Sequence, residues 1–416
     1  MSKEISETTQ TAIAKARMQV TSKQEGMKRL IEERQKRKQI LENYLTTSNL
    51  SEEEKEELRN ELNRKESNYL RLQRQQLKIS DFQTIRIIGR GGFGEVRMVG
   101  KRNCDEIYAL KIMRKKVMFE RNQVEHLRAE RDILAQTHFN NEWVVKMYHS
   151  FQDDDNLYLV MEYLGGGDMM NLLIKYDVFS EEIARFYIAE LFLAIDSIHQ
   201  LDYIHRDVKP DNILIGYDGH IKLTDFGLCT GFHRENRSET LRELIQQAQE
   251  ERIKIELGCT TSTIKAHDYK HRSRDEVYSI VGTPDYTAPE VFYKTGYGKS
   301  VDYFSIGCIL FEMICGYPPL YSEDALKTCL KIVNETENYI YPEYPFSEQV
   351  KDLISHLICP VEKRYSTLEE VKQHPFFNGF DWDNIENYEP PYIPSLSEAF
   401  NGSNFEEFEE NEIVDK

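Results

Sequence analysis

The chain has 416 residues, 40% of them hydrophobic, with a formal net charge of -18; that length exceeds one small core and suits two lobes with extensions. The acidic balance argues against general nucleic-acid binding, because a phosphate backbone repels an acidic surface. Seven scattered cysteines (Cys104, Cys229, Cys259, Cys308, Cys315, Cys329, Cys359) form no C-x-x-C pair, which points away from a zinc site or a disulfide framework and towards a reducing intracellular compartment. The polar start shows no signal peptide. The longest apolar stretch, 306–314, is interrupted by Glu312 and falls short of the roughly 20 residues that span a bilayer.

Residues 1–80 contain no proline and one glycine and are rich in Lys, Arg, Glu and Gln, which predicts helices. Ser51 and Glu54 have capping-box spacing, and Leu58, Leu62, Tyr69 and Leu72 then recur at helical intervals. A solvated helix with a narrow apolar stripe is the plainer alternative. Charge is uneven along the chain: residues 15–38 hold nine Lys/Arg against three Glu, and residues 381–416 hold eleven Asp/Glu against Lys416 alone. Such asymmetry suggests terminal extensions with their own partners.

From Phe82 the texture changes to strands. An alternating run over 82–88 leads into Gly89, Gly91, Gly92, Phe93 and Gly94, and 95–99 is strand-like again. A G-x-G-x-x-G that opens a helix binds dinucleotides; one set between two strands suits a hairpin over nucleotide phosphates. An ordinary glycine-rich hairpin is the bland alternative. The apolar strand 108–113 then carries one lysine, Lys111. A buried ammonium needs partners, and phosphates plus a carboxylate from the following helix, Glu130, would supply them.

Residues 157–164 predict a buried strand ending in a hinge, which Gly165, Gly166 and Gly167 would loosen. Ile88, Val96, Ala109, Met161 and Leu214 would enclose a flat base, although each alone is more often plain core. Main-chain groups of Glu162 and Leu164 would bond the adenine edge, and Asp168 would reach the ribose.

Two short runs, 205–212 and 225–227, carry the chemistry. Asp207 is placed to accept a hydroxyl proton and Lys209 to neutralise a γ-phosphate. Asn212 and Asp225 are hard oxygen donors suited to Mg²⁺. Phosphoryl transfer needs this combination, since its catalysis is mostly positioning and charge stabilisation.

Residues 82–377, with Ala288-Pro289-Glu290 in place, resemble a eukaryotic protein kinase, and Lys209-Pro210-Asp211-Asn212 resembles the Ser/Thr version of its catalytic loop. The resemblance implies an α+β, bilobal fold: a β-rich N-lobe over 81–164, a helical C-lobe over 165–377 and a helical N-terminal extension over 1–80. It implies ATP and Mg²⁺ as cofactors, a Glu290–Arg364 pair, and Asp302 capping the catalytic loop from a central helix. Tyr303-Phe304 stand where many relatives carry two tryptophans.

The segment 282–290 is similar to the substrate-binding segment of the AGC group. About sixty residues separate Asp225 from Glu290, roughly thirty more than is usual, and a basic helical N-terminus joins the kinase directly. These features resemble the nuclear Dbf2-related (NDR/LATS) family. That likeness implies a Ser/Thr protein kinase regulating cell-cycle exit, cytokinesis or morphogenesis. It implies a Mob-type coactivator bound through basic residues including Arg34 and Arg37, and an activation-loop phosphosite at Ser279 for an upstream kinase, with Arg206 as the phosphate's partner. Within the insertion 229–278, the basic stretch 265–274 would restrain activity, or is a disordered loop. Asp211, Thr283 and Glu312 would contact substrates with basic residues before the target, with Asp168 assisting. In the tail, 378–416, Asn404–Phe408 resembles the segment that crosses the nucleotide cleft, and no aromatic hydrophobic motif follows it. A cytoplasmic location is implied, with nucleus, spindle poles or cell cortex as further sites. The other reading is a catalytically weak scaffold acting through its Mob-type partner, whose mark would be loss of Lys111, Asp207 or Asp225; all three are present.

Overall fold

A computed structural model describes residues 77–91, 94–102, 106–120, 124–137, 141–228, 230–231, 284–292, 297–322, 325–334, 336, 339–342, 346–395, 398, 400, 402 and 404–405, with 38, 41, 45, 46, 55, 58 and 59 nearer the N-terminus. The chain divides into two compact units, 1–83 with 99–107, and 84–98 with 108–416. Within the smaller unit Asp81 is an organising residue. Its carboxylate accepts from the Lys78 amide at 2.8 Å and its carbonyl from the Arg102 amide at 2.9 Å.

A five-stranded sheet runs in the order β1 (Phe82–Gly91), β2 (Gly94–Lys101), β3 (Ile107–Arg114), β5 (Asn156–Glu162), β4 (Met147–Gln152). In β3, Tyr108, Ala109 and Leu110 are buried in succession, as expected of a strand covered on both faces. The predicted strand 82–88 continues through Gly91. Gly94 has a steric reason to be glycine: a Cβ there would lie 1.8 Å from the Ile112 carbonyl oxygen.

Two helices follow β3, α1 (Lys115–Glu120) and α2 (Val124–Thr137). The rest of the larger unit is mainly helical: α3 (Met169–Tyr176), α4 (Glu181–His199), α5 (Ser300–Cys315), α6 (Ala325–Asn334), α7 (Glu348–Leu357) and α8 (Leu368–Lys372). Side chains cap several of them. Asp168 accepts from the Asn171 amide at the start of α3, Ser180 caps α4, and Thr367 with Glu370 forms a capping box on α8. The hydroxyl or carboxylate satisfies amides that have no partner inside the helix.

Every residue of α5 is buried. A helix apolar on all sides belongs in the middle of a core, and α4 and α7 pack around it. Gly316, at φ 85°, ends it in the left-handed region. The Tyr303-Phe304 pair is part of this core, and Phe304 takes the Arg364 guanidinium 4.9 Å from its ring centroid. Among the described residues, no helix is long and apolar enough to cross a membrane.

Asp352, His356 and His374 also come together in this region. The Phe376 amide donates to His374 Nδ1 at 3.2 Å, so the ring proton sits on Nε2, 3.0 Å from Asp352 Oδ2. That tautomer makes a hydrogen-bonded helix junction, and a metal on Nε2 would force a proton onto Nδ1 against the Phe376 N–H.

A short hairpin and a flanking strand pair carry the chemistry-bearing loops. β7 (Ile213–Ile215) pairs antiparallel with β8 (Ile221–Leu223), and β6 (Tyr203–Ile204) with β9 (Thr230–Gly231). The run 205–212 therefore lies between β6 and β7, and 225–227 between β8 and β9.

Candidate active site

Lys111 Nζ lies 2.7 Å from Glu130 Oε1 and 3.1 Å from Asp225 Oδ1. Strand β3 presents the lysine, α2 the glutamate, and the turn after β8 the aspartate. Burial pulls the Lys111 pKa down, but Asp225 and Glu130 more than reverse it and leave it raised. Glu130 is raised by burial against the pull of Lys111. Asp225 is lowered to about 2, chiefly by Lys111 with Lys209 contributing, against the partial burial of its half-exposed side chain. One ammonium thus holds a carboxylate in its charged form at neutral pH.

Below this cluster, Asp207 Oδ2 accepts from Lys209 Nζ at 3.0 Å and from Asn212 Nδ2 at 3.0 Å, and the same amide nitrogen reaches the Asp207 carbonyl at 2.8 Å. Burial opposes the charge on Lys209, but Asp207 and Asp211 beside it leave its pKa raised. The Thr224 amide donates to the Asn212 carbonyl at 3.0 Å, which brings Asn212 next to the neighbour of Asp225.

Asp302 of α5 holds the loop from underneath. Its carboxylate accepts from the His205 amide at 2.9 Å, the Arg206 amide at 2.8 Å and His199 Nε2 at 2.7 Å. Arg206 and Asp225 both have left-handed backbones, at φ 71° and 59°. Such conformations persist only where surrounding contacts enforce them, and for Arg206 the Asp302 bond does so. The His205 ring stands 5.0 Å from the buried Phe226 ring. Arg206 lies over the Tyr297 ring at 4.9 Å.

The expected apolar residues all belong to, or pack against, the main hydrophobic core. Ala109, Met161 and Leu164 are buried in that core, while Ile88, Val96 and Leu214 are half-buried against it. A Cβ at Gly91 would meet nothing within 4 Å and one at Gly89 only Val96, so these glycines border open space.

The hinge glycines are tight rather than loose. A Cβ on Gly166 would lie 2.5 Å from the Ile215 carbonyl oxygen, and Gly167, at φ 81°, faces the Asn404 carbonyl. Asn404 Nδ2 also donates to the Gly165 carbonyl at 2.9 Å, and the Phe405 and Tyr163 rings lie 5.9 Å apart. The described part of the tail segment therefore runs along the hinge.

Asp168 and Glu312 are both tied to neighbours within the fold. Both Asp168 oxygens accept from Asn171, the amide and the side chain, at 2.7 Å each. Glu312 is fully buried in α5 and accepts from Tyr286 Oη at 2.5 Å, so it offers no surface to a substrate here. Asp211 is exposed. Arg364 grips Glu290 with two hydrogen bonds, one of 3.0 Å, and completes its donors on the Cys359 and Ser300 carbonyls. Gly92, Phe93, Ser279, Thr283, Arg34 and Arg37 lie outside the described residues, as does the insertion 229–278 apart from Thr230 and Gly231.

Two contributors escaped the sequence reading. His199 supports Asp302 from the end of α4. Lys222, in β8, forms a fork to both oxygens of Glu162 at 2.7 and 2.8 Å. Its signal was visible: a lone cation in an apolar triplet, like Lys111.

Residues 82–377 match the protein kinase domain family. The chain is 47% identical over 385 residues to the serine/threonine-protein kinase tricornered of Drosophila melanogaster, covering 90% of this chain and 82% of that one. It is 46% identical over 386 residues to the serine/threonine-protein kinase sax-1 of Caenorhabditis elegans, covering 92% and 80%. To the serine/threonine-protein kinase CBK1 of Pneumocystis carinii it is 44% identical over 393 residues, covering 91% and 76%. With a β-sheet lobe, a helical lobe and these relatives, the chain belongs to the protein kinases and, among them, to the NDR/LATS family of serine/threonine kinases.

Proposed function

We propose that Asp207 receives the proton of a substrate Ser or Thr hydroxyl as the γ-phosphoryl group of ATP passes to that oxygen. The observation that carries this reading is the continuous charge arrangement from Glu130 through Lys111 and Asp225 to Lys209 and Asp207. Lys111 would hold the α- and β-phosphates, and Lys209 would offset charge on the transferred group while keeping Asp207 oriented.

The residues present fit a hard divalent ion such as Mg²⁺. The amide nitrogen of Asn212 is committed to Asp207, which leaves its oxygen as the ligand atom. Asp225 is held ionised by Lys111 and its side chain is half exposed. A bound Mg²⁺ would neutralise phosphate charge and orient the phosphates; Asn212 and Asp225 would fix where it sits.

For substrates with basic residues before the target, the exposed Asp211 is the supported contact, and Glu312 would need Tyr286 to move. The basic stretch 15–38, with Arg34 and Arg37, would dock a Mob-type coactivator of acidic surface, and Ser279 would take a phosphate from an upstream kinase. The test is transfer of labelled γ-phosphate to a basic Ser/Thr peptide and to its acidic counterpart. It is run with Mg²⁺ or chelator, and with or without a Mob-type protein. Transfer to the basic peptide with Mg²⁺ is expected. Folded protein that transfers to neither peptide under any condition would sink the assignment of Asp207.

A further inference from the structure

Glu162 ends β5, and its side chain turns to meet β8. Lys222 Nζ bonds both carboxylate oxygens, and the Lys146 amide adds a third donor at 3.3 Å. The Glu162 amide in turn donates to the Lys146 carbonyl at 2.8 Å. Both partners of the ion pair are largely buried, with side chains 15% and 18% exposed.

This pair sits at a crossing of backbone ladders. Lys222 lies opposite Leu214 in the β7–β8 register. Next to it, the Leu223 amide donates to the Trp143 carbonyl at 2.8 Å, and the Leu223 carbonyl accepts from the Val145 amide at 3.0 Å. The following residue, Thr224, bonds Asn212, and the next is Asp225. One carboxylate thus connects the hinge strand to β8, which pairs with Leu214 of β7 and leads on to Asp225. A forked pair shielded from water is much stiffer than an exposed one, because neither charge has solvent as a competing partner.

We infer that Glu162 and Lys222 form a latch that sets the spacing between the hinge and the β7–β8 hairpin, and that they are positioning residues for ATP. The latch rests on the reading that Leu214 and the hinge main chain enclose the adenine. Breaking it should therefore act on nucleotide affinity and leave the chemical step, built on Asp207 and Lys209, intact.

The experiment compares Glu162→Gln, Lys222→Met and the exchanged pair Glu162→Lys/Lys222→Glu in the full chain, reading KM for ATP, kcat, and the Kd of a non-hydrolysable ATP analogue. Each single variant is expected to raise KM and Kd about 5–10-fold, the size of a lost partly buried charge contact, with kcat within about 2-fold. The exchanged pair should recover most of the loss. Singles with wild-type KM and Kd, or a fall in kcat without a change in Kd, overturn the latch. So does an exchanged pair no better than the singles. An Ala109→Phe variant separates the two readings. If it abolishes analogue binding while the latch variants bind as wild type, the pocket stands and the latch falls; if it binds normally, the pocket assignment itself fails.

Discussion

Asp302 and Asp225 are both carboxylates that organise the site, and they are held in opposite ways. Asp302 is wholly buried in the first turn of α5 and receives two backbone amides and a histidine. Asp225 has a side chain that is 48% exposed, sits on a left-handed backbone and is held by one ammonium. The lower anchor is part of the hydrophobic core, so moving it means unfolding core packing. The upper one depends on a charge contact that a metal ion or phosphates would also compete for. A kinase needs both: a loop that presents Asp207 in one geometry, and a cluster above it whose charges can be shared with a bound nucleotide.

Breaking the chemistry without touching either anchor should give the largest effect. Asp207→Asn keeps the acceptor for Asn212 and removes the base. Its kcat should fall about 10³-fold, with the melting temperature within about 2 °C of wild type. A melting temperature that falls with activity would mean that Asp207 belongs to the scaffold. Asp302→Asn makes the converse change. One oxygen must become an NH₂ group facing an amide or a histidine, so a buried donor loses its acceptor. The expected cost is about 3 kcal/mol of unfolding free energy, measured by urea denaturation, with activity lost alongside. An Asp302→Asn protein as stable as wild type would show that α5 does not hold the loop through this carboxylate.

What could be read in the sequence follows the same division. Lys111, Asp207, Asn212 and Asp225 are polar residues set in or beside apolar strands, where burial itself demands partners, so the sequence pattern exposes them. The role of Asp302 came from the family resemblance, and its place inside a helix with no polar face agrees with it. Glu312 carried a signal of its own. It interrupts the apolar run 306–314, and such an acid is buried with its helix; Tyr286 supplies its partner. That the residue faces inward rather than towards a peptide follows from packing around α5, which no local pattern reports. The Glu162–Lys222 pair was hidden for a simpler reason. Its members are sixty residues apart on strands of two different sheets, and only the fold brings them together. The glycines divide likewise: Gly89 and Gly91 border open space, while Gly94 and Gly166 are demanded by carbonyls that arrive from distant strands.

A third aspartate sharpens the comparison through pH. Asp285, in the turn Pro284–Tyr286, is buried, and burial raises its pKa to about 7. Asp225 goes the other way because Lys111 is beside it. The signs of their contributions to stability therefore differ. For Asp225 the folded pKa is depressed, so its stabilisation is present above the ordinary carboxylate range and is lost as pH falls through about 2. For Asp285 the folded pKa is raised. Its protonated form is favoured by the fold, and that contribution is complete at acid pH and lost as pH rises through about 7. Between pH 5 and pH 7 the unfolded carboxyl is already ionised while the folded one is largely neutral. Wild type should therefore lose about 2 kcal/mol across that window relative to an Asp285→Asn variant, whose amide does not titrate. Paired denaturation curves at pH 5, 6, 7 and 8 give the difference directly, and contributions from every other titrating group cancel in it. A difference that stays constant across the four curves would place the Asp285 carboxyl in contact with a cation or with water. The segment around Tyr286 would then be held by charge, like Asp225, and not by burial, like Asp302.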